Sequence, residues 1–446
     1  MNKKAILGIA LIVVTALSAA VVPAAKGQDE VNIAFYINLL SPNTNPARNQ
    51  WAKLMEQQLP KIGIGIEFHE STGWANIAPR TWAYPVGQEY DHIPTYKEGG
   101  YDILFIGWAW GLDWDPTGLF DTASIVPNGW NFYQYSNPTY DQILEDYITD
   151  LNDTTRIEKA KQLQRILYDD LPAITLIYPR SLYGFKQGLT GIDDLLLAVI
   201  ADHYENWDDP ADHIIKYALP AELAEYNIFV QQSYYDALWM QGVYGGLYAR
   251  SVSSDYHYEP YIAADYPQVD GLNFTVDIAP DAKFSDGTPI TAEDVKYSFE
   301  LIMTPKVGSA AYSFYKLMFG SNDSIVVVDQ DTIRFEFTMP YAWALSVLAA
   351  PIVCKAKIQP LIDQYGYDIF GEPPLSGNVG DALVTSCGPF IVDSYDTTTS
   401  TVVLVPNENF TAGPAPKLQQ LIFTWINGKD AAISALAAGE VDIVDS

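Results

Sequence analysis

Two carboxylates and three indoles crowd into the stretch YDILFIGWAWGLDWDP: Trp108, Trp110, Asp113, Trp114 and Asp115. Paired acids suggest acid–base work on a glycosidic bond. Asp113 and Asp115 are too close in sequence to be assigned to opposite sides of such a bond. Their other chemistry is to hold a cation, because a carboxylate facing an ammonium is worth far more once water is removed. The structural alternative is that they order a turn before Pro116. The tryptophans offer faces that grip apolar side chains or stack on sugar rings, and a core role for at least one of them is the competing reading. In an extended chain, alternation puts Trp108 and Trp110 on the same face.

Other reactive groups are dispersed. His69, His92, His203, His213 and His257 show no His-Glu-x-x-His spacing. There is no Gly-x-Ser-x-Gly elbow and no Gly-rich phosphate loop with its lysine. No cofactor is implied, and any ATP hydrolysis belongs to a partner. The residues point to binding rather than catalysis.

The chain of 446 residues carries 55 acidic and 25 basic side chains, a formal charge of −30. That surface repels phosphate backbones and anionic headgroups, so nucleic acid is not an expected partner. The N-terminus places Lys3 and Lys4 before an apolar run and small residues at Ala24 and Ala25, the order of a secretory signal peptide over 1–27. An uncleaved membrane anchor is the alternative. Either way the expected location is outside the cytoplasmic membrane, secreted or in the cell envelope. Export makes Cys354 and Cys387 expected disulfide partners, with a loop worth roughly 3–4 kcal/mol if the geometry permits. Two cysteines cannot form a zinc site alone.

Strand and helix patterns alternate from Val31. VNIAFYI, IGIEFH, YDILFIGW and ITLIYP read as strands. PARNQWAKLMEQQLPKIG reads as a helix stopping near Pro60 to Gly63. Two more helices open at Asn137-Pro138 and Asp153-Thr154. The second gathers Ile157, Ala160, Leu163 and Leu167 on one face, which predicts packing against a sheet. IIKYALP, GLNFTVDIAP, DTIRFEFTMP and TVVLVP are later strands. The class is α/β. In FSDGTPITAEDVKYSFELI, Ser285-Asp286-Gly287 makes a turn and Thr291 caps a helix with Asp294 in a capping box. Ile290 and Val295 staple the helix, and Val295, Phe299 and Ile302 form its buried face.

That stretch resembles a signature of the extracellular solute-binding proteins of the peptide/nickel class (family 5), which serve ABC transporters. GVYGGLYAR, CGPFIVDSY and NENFTAGPAPKLQQLIFTWINGKDAAISALAAGEVDIVDS are similar to segments of the same family. GIGIEFH, YDILFIGWAWGLDWDPTGLF, NFYQYSNPTYDQILEDYITDLN and RIEKAKQLQRILYDDLPAITLIYP resemble its second lobe. The family's order is exchanged here: the segment resembling the first lobe, 213–446, follows the segment resembling the second, 28–192, across a crossover at 193–212. A middle helical stretch finds no match, and the chain ends where the family would continue.

The resemblance implies a two-lobed periplasmic-binding-protein-like (type II) architecture, permuted or incomplete, with ligand held between the lobes. It implies an oligopeptide ligand, a membrane permease of an ABC transporter as partner, and no catalysis. An acid just beyond the Gly-Trp strand end pairs with a peptide's amino group in the family. Asp113 is slightly favoured over Asp115 for that role, and Gly107 and Tyr244 fall at positions that approach the ligand. Oligosaccharide is the alternative ligand and a nickel complex the third. A secreted surface protein that keeps the scaffold without transport is the alternative role.

Overall fold

The computed structural model describes residues 31–445 apart from 44, 83, 85–91, 93, 109, 179–181, 193–202, 232 and 252–256. The expected signal peptide, 1–27, and the first half of the expected crossover lie outside the described residues. Two compact units emerge, one holding residues up to 80 with 89–108, the other holding 81–88 with 109–446. The expected division at 193–212 rests on sequence resemblance and does not coincide with the bounds of these units.

The first unit is built on a parallel sheet. Strand β1 (Phe35–Pro42) lies centrally, paired with β2 (Ile64–Thr72) on one side and β3 (Ile103–Leu104) on the other. Helix α1 (Pro46–Gln58) makes the crossover from β1 to β2. Asn45 caps it by accepting the Arg48 N–H at 3.0 Å, and Pro46 loses nothing at a position where no helical bond is due. A tighter turn, Leu59–Ile62, ends at Gly63 with φ +90°, as the sequence predicts. The strand expected over YDILFIGW is shorter than expected. Only Ile103–Leu104 pair with β1, with one more bond from the Phe105 N–H to the Leu40 carbonyl.

In the second unit, helices α2 (Pro138–Ile148) and α3 (Asp153–Asp170) start on Asn137 and Asn152. Each Asn accepts two backbone N–H groups of the first turn. The expected sheet-packing face of α3 is corrected here. Leu163 is fully buried but Ile157 is 55% exposed, and the helix packs on α2 instead. The strand expected over ITLIYP is also absent. Ile174 to Tyr178 run exposed and irregular, Tyr178 at 88%, because an apolar run becomes a strand only where another edge pairs with its backbone.

A six-stranded mixed sheet forms the centre of this unit. Its strands are β4 (Tyr183–Phe185), β5 (Ile214–Leu219), β12 (Phe390–Asp396), β13 (Thr401–Pro406), β14 (Gln420–Trp425) and β15 (Ile443–Asp445), in the order β12-β13-β14-β5-β15-β4. Central β5 runs parallel to both β14 and β15 and buries Ile215 and Tyr217 completely. The same unit holds an antiparallel sheet of β8 (Gln268–Asp270), β9 (Asn273–Asp277), β10 (Ile325–Val327) and β11 (Thr332–Glu336). Helix Ala292–Ile302 packs on β10 and β11, with the Phe299 and Phe335 rings 4.9 Å apart. The capping box is formed. Thr291 N–H donates to Asp294 Oδ2 at 3.0 Å, and Asp294 N–H to Thr291 Oγ1 at 3.4 Å. Asp294 Oδ1 also receives the Lys355 N–H at 3.0 Å, so the cap ties a second helix to the first. The acids of this signature build structure.

The expected cross-link is corrected. Cys354 and Cys387 are both buried free thiols. The Cys387 sulfur points at the Gly245 carbonyl, 3.5 Å away, and burial pushes its thiol up to about 12. An alkylating reagent should therefore label neither cysteine in the native protein and both in denaturant without reductant. Denatured protein that still resists labelling would show a disulfide.

Burial also sets a pH dependence. Asp236, fully buried at the start of helix α4 (Tyr234–Val243), accepts the Ala224 N–H at 3.1 Å. Desolvation, with the nearby Glu225 charge, raises its pKa from 3.8 to about 7. A raised folded-state value means the stabilising contribution is complete below 3.8 and is lost as pH rises to about 7. Asp236→Asn should grow more stable relative to the native chain across that interval, read by chemical denaturation. A constant difference would contradict it.

Candidate functional site

The second unit brings Trp110, Asp113, Trp114 and Asp115 together, and each has a distinct environment. Asp113 is half-buried and ion-paired to Arg250, the last residue of β6 (Tyr248–Arg250). The Arg250 guanidinium lies 4.4 Å from the centre of the Tyr258 ring, so its face rests on an aromatic while its edge serves the carboxylate. Tyr258 opens β7 (Tyr258–Pro260), which pairs antiparallel with β6 and so fixes the arginine's root. Burial pushes the Asp113 carboxyl up from its usual range, and the Arg250 charge pulls it only part of the way back.

Asp115 is engaged on both oxygens. Oδ1 accepts the Thr117 N–H at 2.9 Å and the Thr117 hydroxyl, which starts the one-turn helix Thr117–Phe120. Oδ2 accepts the Tyr341 hydroxyl at 2.6 Å. This carboxylate orders the turn around Pro116 and ties it to a distant loop. Asp113 and Asp115 therefore differ in what surrounds them, a cation in one case and neutral donors in the other.

The tryptophans belong to an aromatic ladder. Trp110, 43% exposed, stands 6.1 Å from Trp114. Trp114 is 5.6 Å from the buried Tyr147, which is 5.5 Å from Trp343. The Tyr147 hydroxyl donates to the Trp114 carbonyl at 2.5 Å, and the Arg156 guanidinium sits 5.3 Å over Trp343. The inner rungs are held by packing and hydrogen bonds, leaving Trp110 as the solvent-facing rung.

The remaining expected residues lie elsewhere. Gly107 and Trp108 are in the first unit. A Cβ on Gly107 would lie 2.1 Å from Arg48 Nη2, so glycine makes room for that guanidinium, and Trp108 is 38% exposed. Tyr244 is buried, with its hydroxyl donated to the Leu383 carbonyl at 2.7 Å. Also in the first unit, Ser41 Oγ lies 2.7 Å from His69 Nε2, but Ser41 has no exposed surface and is placed as a core hydrogen bond rather than a nucleophile. Among the described residues no three or more His, Cys, Asp or Glu side chains are grouped to hold a metal ion. No helix among them is long and apolar enough to cross a membrane.

Sequence reasoning missed Arg250, Tyr258 and Tyr341. Each sits in an ordinary strand or loop pattern, and only the fold brings it to the two acids.

Comparison with known proteins gives this architecture a context. Residues 257–446 match the family described as bacterial extracellular solute-binding proteins, family 5, middle. The periplasmic murein peptide-binding protein MppA of Escherichia coli (strain K12) is 24% identical over 201 residues, covering 42% of this chain and 35% of that protein. The probable D,D-dipeptide-binding periplasmic protein DdpA of the same strain is 31% identical over 183 residues, covering 40% and 31%. Among solved structures, the Haemophilus influenzae OppA complex with RPPGFSPFR aligns at a TM-score of 0.44 and 16% identity, over 52% of this chain and 46% of that one. The chain thus spans about a third of the length of the curated relatives it matches. The mixed α/β class expected from the sequence is the one observed in both units. The matched family is defined by solute binding.

Proposed function

We propose that this chain, whose residues 257–446 match the bacterial extracellular solute-binding proteins of family 5, works as a member of that family: it captures an oligopeptide outside the cytoplasmic membrane and delivers it to an ABC transporter permease. It acts by binding, and the transporter's own subunits supply the energy. The exchanged order of its two family-like segments is part of the same reading.

One observation carries the choice of ligand: a half-buried carboxylate, Asp113, in the same short stretch as a solvent-facing indole, Trp110. The carboxylate offers a charge-assisted bond to a peptide's amino terminus, and the indole offers a face for an apolar side chain. A cationic counterpart already sits on Asp113, so a ligand ammonium must compete with the Arg250 guanidinium. Two relatives named for peptide or dipeptide binding support the same class. The exposed Trp110 face also suits a sugar ring, which makes oligosaccharide the second reading.

Titration calorimetry with trialanine, N-acetyl-trialanine and maltotriose separates these readings. Trialanine should bind saturably. Acetylating its amine, or replacing Asp113→Asn, should weaken binding about tenfold or more, as expected for the loss of a charge-assisted bond. Maltotriose binding that ignores Asp113→Asn would install the sugar reading, and no heat from any of the three would leave a scaffold without transport.

A further inference from the structure

His203 lies between two acceptors. Its Nδ1 is 2.7 Å from Oε1 of Glu205, and its Nε2 is 2.7 Å from the carbonyl oxygen of Arg250. A neutral imidazole has a single N–H, and neither a carbonyl nor an ionised carboxylate can donate one. With Glu205 ionised, both contacts are made together by the doubly protonated ring. The pair is shielded, with His203 8% and Glu205 1% exposed, and the second Glu205 oxygen, Oε2, has no hydrogen-bond partner. The imidazolium is therefore what compensates this buried carboxylate. The charged groups facing the ring are Glu205 and, 3.9 Å from Nε2, Glu259 on β7. Burial alone would lower the ring's pKa. Glu205, the Arg250 carbonyl and Glu259 together outweigh it and raise the value.

The contact at Nε2 falls on the residue whose guanidinium holds Asp113. We propose that protonated His203 is a positioning residue for ligand capture: it clamps the main chain at Arg250, keeps that guanidinium on Asp113, and on losing its Nε2 proton, the remaining N–H being held on Nδ1 by the Glu205 carboxylate, releases Arg250 and opens Asp113 to a ligand ammonium. This rests on Asp113 being the ammonium acceptor. One carboxylate faces two candidate cations, its own arginine and the ligand, and the proton on His203 biases which one it holds. Capture is then favoured where His203 is neutral. The clamp links three separate parts of the chain, since Glu205 lies in a short turn at Tyr204–Asn206, Arg250 ends β6, and Asp113 follows the tryptophan stretch.

The test uses the full chain, native and as His203→Gln and Glu205→Gln. The ratio of trialanine affinity in His203→Gln to that in the native protein cancels the peptide's own titration. It should be about three- to tenfold near pH 6, the worth of one hydrogen bond, and should fall toward one near pH 9. Glu205→Gln removes the counter-charge and should move the native pH profile downward. Nitrogen-15 NMR of the ring should show both nitrogens protonated near pH 6. A ratio independent of pH, or a singly protonated ring there, overturns the proposal. If trialanine binds none of the three proteins, the peptide reading has failed instead. Hydrogen exchange then decides the clamp itself: the β6 amides should exchange faster in both variants than in the native protein near pH 6, and equal rates would overturn it.

Discussion

Asp113 is taken halfway out of water by its surroundings, and a carboxylate in that position is costly unless a cation comes with it. Arg250 supplies the cation from a strand 137 residues further along the chain. The fold around the site follows from that demand. β6 and β7 pair so that Tyr258 supports the guanidinium, and the stretch 110–115 packs with the second unit. Removing the guanidinium would take from the half-buried carboxylate its ion-pair partner, which is why the two are best regarded as one element.

Around that pair the neighbouring groups divide the work. Asp115 spends both oxygens on Thr117 and Tyr341 and so holds the turn that presents Asp113. Trp114 and Tyr147 brace each other through ring contact and a hydrogen bond, and Trp110 turns a face outward. A rigid base with one exposed aromatic and one half-buried charge suits recognition of an extended chain. It pre-organises the few groups that discriminate, so that less ordering is left for the moment of binding.

Much of the local structure was readable in the residues. The Asn137-Pro138 and Thr291-x-x-Asp294 starts became helix caps because capping is a short-range matter of one side chain and the next few N–H groups. The buried Val295, Phe299 and Ile302 followed from helical spacing. Long-range features were not readable. ITLIYP has strand composition but lacks strand structure, α3 found a helix instead of a sheet, and Cys387 turned to the Gly245 carbonyl rather than to Cys354. Within the site, the acids and tryptophans stood out by crowding in sequence. Arg250, Tyr258 and His203 gave no such signal, because a partner far along the chain leaves no local pattern.

A double-mutant cycle between Asp113→Asn and Arg250→Gln, read as unfolding free energy, tests the pair most directly. The two losses should fall short of additivity by about 1 kcal/mol or more, the coupling expected of residues that share a contact. Strictly additive losses would mean that the carboxylate and the guanidinium do not sustain each other, and the account of the site built on them would be wrong.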